Sequence, residues 1–261
     1  MTFLPGKRAL EMLGGEQQEG GSQEVKIVQF MAEGAGYWNV PDKEKWKGVF
    51  NHIMLEYNAG IYIAKSLKKI GEEKNIDELK NIDVREAATA ALLSDIGKRR
   101  AEEMVIRGET EEDTHGQIGK EMLEKAGFSE TISRIASSHD FPTSKDQLLT
   151  IYDRIALFAD VIASQKYMLP IERLHDFEQR KITQRKEQGK DPLINEDKFE
   201  QYKQVVLEVS DDMFRLLGEE PEEFIKNIPH SREEKYLRAL FDKNLENRGI
   251  QFAGNLYKEK Q

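Results

Sequence analysis

Metal-binding side chains recur in this sequence at positions where an apolar helix face should continue. Three of the five histidines have this property, and so do two aspartates that follow alanine- and leucine-rich stretches. A charged group on a buried face is costly unless it is paired, hydrogen-bonded or bound to a metal. The candidate residues are His52, Asp95, His115, His139 and Asp160. Together they predict one centre to which several helices contribute.

Two carboxylates and three imidazoles form a ligand set for one or two divalent metal ions of the hard-to-borderline class. The candidate ions are Mn²⁺, Fe²⁺, Zn²⁺, Ni²⁺ and Mg²⁺. The competing interpretation makes each residue a hydrogen-bonded core or helix-end residue, and it would be preferred for any one of them alone. The five together favour the metal. The chain has no cysteine, which excludes thiolate ligands and disulfides.

Helical periodicity predicts the elements that carry these residues. Gly127 is a predicted C-cap and Ser129 a predicted N-cap. We find no alternating strand pattern of convincing length and no internal repeat, so we expect an all-α fold. The predicted helices are Lys43 to about Lys69, Val84–Lys98, Thr114–Lys125, Ser129–His139, Gln147–Tyr167, Ile171–Lys186, Glu196–Leu217 and Arg232–Asn247.

Composition limits the classes of partner. The formal net charge of −9 argues against broad nucleic-acid binding, which depends on neutralising phosphates with lysine and arginine. A local cluster of cations or metal ions can still attract a small phosphorylated molecule or nucleotide. No apolar run approaches the roughly 20 residues that span a bilayer, and Met1–Leu13 lacks the apolar core of a signal peptide. We therefore expect no membrane partner and a cytoplasmic location.

The order and spacing of the motifs resemble the HD-domain superfamily of metal-dependent phosphohydrolases. The chain is similar in particular to branches with extra histidines, such as HD-GYP phosphodiesterases and bacterial symmetrical dinucleoside-tetraphosphate hydrolases. The resemblance covers about residues 48–167, under half of the chain. It depends on His52, the run Ala91–Lys98, the run His115–Leu123, the run Ile135–His139 and the run Ala159–Ala163.

The resemblance implies a hydrolase that acts on a nucleotide or other phosphoester at a two-metal centre. By this resemblance one ion is held by His52, Asp95 and Asp160, and Asp95 bridges to a second ion held by His115 and His139. Asp95 is thereby implied as a catalytic residue as well as a ligand. Such a pair of ions activates a water molecule and neutralises the phosphate under attack.

Lys98 follows the implied bridging position and is a candidate catalytic and substrate-binding residue, because its ammonium could reach a phosphate oxygen. The competing interpretation is a solvated lysine in the basic run Lys98–Arg100. Both remain open at this point.

Two positions depart from the family pattern. The His-Asp pair that defines the family is here Ser94-Asp95, and a serine hydroxyl is a poor neutral ligand compared with imidazole. The Gly-Tyr-Pro signature expected after His139 is replaced by Asp140-Phe141-Pro142, which weakens an assignment to cyclic dinucleotides.

Three outcomes therefore stay open for the centre. One is a two-metal site with water in place of the missing imidazole. Another is a one-metal site around His115 and His139, and the third is a fold that has given up catalysis. A catalytically reduced HD domain would serve as a ligand-binding or signalling module, and a purely structural interaction protein ranks last.

The sequence predicts three parts. Residues 1–45 form an N-terminal arm and flexible linker, and residues 46–168 form an HD-like helical bundle. Residues 169–261 form a C-terminal helical extension packed on the core. The extension could cover the pocket, select the substrate or form the interface of a homodimer. His175 and His230 lie outside the pattern and receive no ligand role.

Overall fold

A computed structural model of the chain confirms the all-α fold. It describes residues 43–98, 100–101, 104, 115–139, 141–187, 189 and 194–229, with only the backbone of 43–50 and 181. Within these ranges no β-strand occurs. The predicted N-terminal arm before Lys43 and the predicted helix Arg232–Asn247 lie outside the described residues. The helices are α1 (Lys43–Lys74), α2 (Asp77–Lys80), α3 (Val84–Leu93), α4 (His115–Lys125), α5 (Glu130–Ser138), α6 (Ile151–Ile162), α7 (Pro170–Glu178), α8 (Gln184–Glu187), α9 (Glu196–Leu217) and α10 (Pro221–Asn227).

The described residues divide into two compact units. The first unit contains residues 43–54 and the described part of 93–137, and the second contains residues 55–92 and the described part of 138–229. Helix α1 therefore contributes residues to both units. None of the helices in the described ranges is both long enough and apolar enough to cross a membrane. The predicted division at residues 45/46 and 168/169 stays a prediction.

The middle of α1 is buried on every side. Its apolar face is buried, with Ile53 and Leu67 fully enclosed. Burial extends well beyond that face, because every residue from His52 to Ile61 is inaccessible or nearly so. A helix that is surrounded in this way carries any polar side chain on it into the interior. The polar side chains enclosed there are His52, Glu56 and Asn58.

The helix predicted over Val84–Lys98 ends early, at Leu93. The next residues form a turn, in which the Ile96 amide donates to the Leu93 carbonyl at 3.1 Å and the Lys98 amide to the Asp95 carbonyl at 3.0 Å. Close packing of this turn against α4 accounts for the difference, because the backbone passes His115 at a distance that only glycine permits. Asp95 consequently lies on a turn and not on a helix face.

Two other predicted helices are interrupted. The stretch from Gln147 begins as a short 3-10 helix, Lys145–Gln147, and α6 itself starts at Ile151. Its start is fixed by the Asp153 carboxylate, which accepts hydrogen bonds from the Thr150 amide and hydroxyl, each at 2.7 Å. The predicted helix over Ile171–Lys186 contains a π-helical segment, Gln179–Thr183, between α7 and α8.

Helix α9 has the predicted bounds, Glu196–Leu217. It packs against α6 and α7 within the second unit, and the Phe214 ring meets the Phe158 ring edge-on at 5.0 Å. The Lys145 ammonium donates to Asp212 at 2.7 Å, and this hydrogen bond holds the pKa of the Asp212 carboxyl below its usual value. The apolar face of α9 is buried at Phe199, Tyr202, Val205, Val206, Val209, Met213 and Leu217.

Candidate metal centre

Asp95 lies at the middle of a buried cluster in the first unit. Its Oδ2 atom lies 3.6 Å from Nε2 of His52, and its Oδ1 atom lies 3.5 Å from Nε2 of His115. The three side chains come from α1, from the turn after α3 and from the first residue of α4. Their exposed fractions are 7% for His52, 1% for Asp95 and 4% for His115. Each carboxylate oxygen therefore faces an imidazole of its own.

The distances in this cluster fit metal ligands better than hydrogen-bond partners. A direct N–H···O bond has a heavy-atom distance of about 2.7–3.2 Å, and both separations, 3.6 Å and 3.5 Å, exceed that range. Two ligand atoms about 2.1 Å from one tetrahedral ion lie roughly 3.4 Å apart. A buried carboxylate between two imidazoles is also the donor chemistry of borderline divalent ions. The cluster therefore fits the group that the sequence predicts.

Lys98 belongs to the same cluster. Its ammonium forms an ion pair with Oδ2 of Asp95, the oxygen that His52 also faces. One third of the Lys98 side chain remains exposed. The lysine is thus neither a fully solvated surface residue nor a buried one. Its ammonium stands beside the carboxylate, on a side chain that still reaches solvent.

Two neighbours of Asp95 set the shape of the turn. Ser94 is 2% exposed, so that a hydroxyl occupies the interior where the family has an imidazole. Gly97 meets α4 so closely that a Cβ added to it would lie 2.0 Å from the His115 carbonyl oxygen and 2.6 Å from the Gly119 amide nitrogen. The backbone of the turn therefore packs directly against the backbone of His115, the residue that supplies the second imidazole.

The remaining predicted ligands lie in the second unit. His139 follows the end of α5 and is 6% exposed, and Asp160 lies on α6 with intermediate exposure. The Ser138 hydroxyl, next to His139, donates to Oδ1 of Asp153 at 3.0 Å. Asp153 is itself 1% exposed and caps α6 through Thr150. The Asp153 carboxylate therefore has two contacts. It caps the start of the helix that carries Asp160, and it binds the hydroxyl of Ser138, the residue before His139.

Glu56 is a buried acidic residue that was not among the predicted site residues. This residue follows His52 by one helical turn on α1 and is 1% exposed. One of its carboxylate oxygens lies within 4.8 Å of a carboxylate oxygen of Asp160. A glutamate in a helix is usually solvated. Glu56 differs from such a surface glutamate because this part of α1 is completely buried. The spacing of four residues from His52 was the one available signal.

Of the six predicted site residues, the structure brings four together in the first unit: His52, Asp95, Lys98 and His115. The ligand and catalytic roles of all six residues stay predictions. His175 is exposed on α7 and takes no part in the cluster. His230 lies outside the described residues.

A comparison with protein families assigns the region that contains these residues. The family model described as HD domain matches residues 50–165, a range that includes every predicted ligand. This part of the chain is an HD domain. The match covers under half of the chain, and it suggests the metal-dependent phosphohydrolase superfamily. Searches of curated proteins and of solved structures found no match to the chain.

Phe141 belongs to the segment Asp140-Phe141-Pro142, which stands in place of the Gly-Tyr-Pro signature of the HD-GYP branch. Phe141 has a positive φ of 49°, a conformation that is uncommon for residues other than glycine and asparagine. Its ring lies edge-on to Phe177 at 5.4 Å and to Tyr202 at 4.9 Å. The residue after the predicted ligand segment therefore packs against the C-terminal helices, which gives the phenylalanine a structural role.

Proposed function

We propose that the HD domain is a metal-dependent phosphohydrolase that acts on a nucleotide or another small phosphoester. The observation that carries the proposal is the buried Asp95 carboxylate, each of whose oxygens faces its own imidazole. The proposed ligands are His52, Asp95 and Asp160 for one ion, with Asp95 bridging to an ion held by His115 and His139. Residues with donors of this kind bind one or two divalent ions.

In this proposal the protein supplies position and charge. The position of Asp95 relative to His115 is fixed, because the turn that carries Asp95 cannot move without displacing α4 at Gly97. When bound, the divalent ions acidify a water molecule and neutralise charge on the phosphate. The Lys98 ammonium, beside Asp95 and partly exposed, binds a phosphate oxygen of the substrate. A cation on a flexible stem suits such a contact.

A second function is favoured by one specific observation, the buried hydroxyl of Ser94. Loss of an imidazole donor weakens a metal site without removing it, because water fills the vacancy. The alternative is therefore a catalytically reduced HD domain that binds a nucleotide or other phosphorylated ligand and serves as a signalling module.

Turnover distinguishes the two functions. The metal-free full-length protein would be loaded with Mn²⁺, Fe²⁺, Zn²⁺, Ni²⁺ or Mg²⁺ in turn and assayed on bis(p-nitrophenyl) phosphate and a panel of nucleotides. We expect metal-dependent release of the phenol or phosphate that stops on addition of a chelator. Nucleotide binding without hydrolysis under every metal would contradict the enzyme and support the module.

Replacing Ser94 with histidine is expected to strengthen metal binding by about tenfold, since one lost donor is restored on an unchanged turn. Hydrolysis should become faster if the serine merely damps it. The measurements are metal affinity and turnover for the parent and Ser94→His, with thermal unfolding as a control for a ring too large for the site. A parent that holds two tight ions and loses activity on gaining the imidazole would identify the serine as part of a working site.

A further inference from the structure

We propose that Asp153 is a positioning residue, which holds the segment of His139 against the helix that carries Asp160. Through its contacts it fixes two predicted ligands of the second unit relative to each other. The inference rests on the proposed metal-dependent function. It gives a role to a buried carboxylate that is not in the predicted ligand set.

The two oxygens of Asp153 have different partners. Oδ1 accepts a hydrogen bond from the Ser138 hydroxyl at 3.0 Å. Oδ2 accepts hydrogen bonds from the Thr150 amide and hydroxyl, each at 2.7 Å. The Asp153 side chain is 1% exposed, and a hydrogen bond left unmade in the interior is costly. One enclosed side chain therefore joins the end of α5 to the start of α6.

These contacts lie next to both predicted ligands of the second unit. Ser138 is the last residue of α5, and His139 follows it directly. Asp160 lies seven positions after Asp153 on α6. Seven positions make about two helical turns, so Asp153 and Asp160 project from the same side of α6. The bond from Ser138 thus attaches the segment of His139 to the face of α6 that carries Asp160.

Phe141 anchors the same segment on its other side. Its φ of 49° lies in a region that costs a residue with a Cβ energy, and such a conformation persists where the surroundings fix it. The ring packs against Phe177 at 5.4 Å and Tyr202 at 4.9 Å. The backbone is held at Ser138 and at Phe141, with His139 between them. Helices α7 and α9 therefore support the ligand segment, and ligand geometry depends on such support.

The competing interpretation makes Asp153 a helix cap alone. A threonine followed three residues later by an acidic residue is a common capping pattern, and Oδ2 supplies that cap. The cap does not require the bond between Oδ1 and Ser138. The experiment therefore removes the Ser138 hydroxyl and leaves the cap in place.

The test is calorimetric titration of Mn²⁺ into the metal-free full-length chain and its variants. Ser138→Ala is expected to weaken Mn²⁺ binding about tenfold, at the lower end of the effects of losing a supporting hydrogen bond. Ser138→Thr keeps the hydroxyl and should bind like the parent. Ser137→Ala is the matched control, because it removes the neighbouring hydroxyl on α5, which donates to the Arg134 carbonyl at 2.9 Å. It should also bind like the parent.

Thermal unfolding of each variant separates a loss of metal affinity from a loss of stability. Deletion of one hydroxyl hydrogen bond should lower the melting temperature by about 2–4 °C. We expect this shift to be similar in Ser138→Ala and Ser137→Ala, although only Ser138→Ala loses Mn²⁺ affinity. A helix cap without a positioning role would give similar shifts and parental Mn²⁺ affinity in both variants.

A double variant tests whether Ser138 acts through His139. If the hydroxyl positions the imidazole, Ser138→Ala should cause no further loss of Mn²⁺ affinity in a His139→Ala protein. Parental affinity in Ser138→Ala, or a loss that persists without His139, would overturn the positioning role. A loss of equal size in Ser137→Ala or Ser138→Thr would also overturn it. A parent that binds no divalent ion would instead overturn the proposed function itself, so the two failures are distinguishable.

Discussion

Replacing Asp95 with asparagine is expected to remove most of the bound metal while leaving the helical content unchanged. Asparagine keeps the shape of the side chain but removes the charge between the two imidazoles, at 3.6 Å from His52 and 3.5 Å from His115. It also replaces one carboxylate oxygen with an amide NH2 group, which donates hydrogen bonds and cannot bind a cation. We expect a fall in metal affinity of at least about 100-fold, because the loss of a hydrogen-bond partner of a ligand already costs about 10–100-fold.

The measurement is metal per chain by elemental mass spectrometry, together with far-ultraviolet circular dichroism. Asp212→Asn is the matched control, because it makes the same chemical change at a carboxylate whose partner is Lys145 on the 3-10 helix. That variant should lose a small amount of stability, as partly exposed ion pairs contribute up to about 1 kcal/mol, and keep its metal. An Asp95→Asn protein with the metal load of the parent would show that the cluster is not a ligand site.

Gly97→Ala is expected to damage both stability and metal binding. The added methyl group would lie 2.0 Å from the carbonyl oxygen of His115, and backbone atoms cannot rotate away as a flexible side chain can. The turn and α4 must therefore separate, which moves His115 relative to Asp95. Overpacking of this kind costs about 3 kcal/mol of unfolding free energy, or roughly 6–12 °C in melting temperature.

Gly119→Ala provides the control from the same packed region. Its added methyl group would lie 3.2 Å from Cγ2 of Ile96, which is the end of a side chain. Alanine is favoured over glycine in a helix interior by about 0.5–1 kcal/mol, so the net change in stability should stay within about 1 kcal/mol. Thermal unfolding and Mn²⁺ affinity of the two variants decide the prediction. Equal melting temperatures and equal Mn²⁺ affinities in the two variants would mean that the contact at Gly97 does not position His115 relative to Asp95.

The fold was predictable from sequence because its helices are amphipathic and end at recognisable residues. Helix α9 has the predicted bounds since Asn195 caps its start and Gly218, at a φ of 70°, ends it. Helix α4 ends before Gly127 for the same reason. The early end of α3 at Leu93 was not predictable, because it depends on a contact with His115, which lies 22 positions later than Leu93 in the chain.

Part of the centre was predictable for a different reason. His52, Asp95 and His115 interrupt apolar patterns, and an interruption is visible in one sequence. Glu56 interrupts nothing visible, since a glutamate beside a tyrosine on a helix resembles a solvated surface residue. Its burial results from the surroundings of α1 on every side, which periodicity along one helix cannot reveal. A periodic pattern identifies the buried face but not the case in which every face is buried.

The metal carried by the unmodified full-length protein tests the central claim most directly. The protein would be stripped with a chelator, reloaded with Mn²⁺, passed through a desalting column and analysed for metal per chain. We predict one or two ions per chain, lost again on chelation and restored on reloading. Protein that is folded by circular dichroism but retains no stoichiometric metal, with Mn²⁺ or with any of the other four ions, would contradict the account.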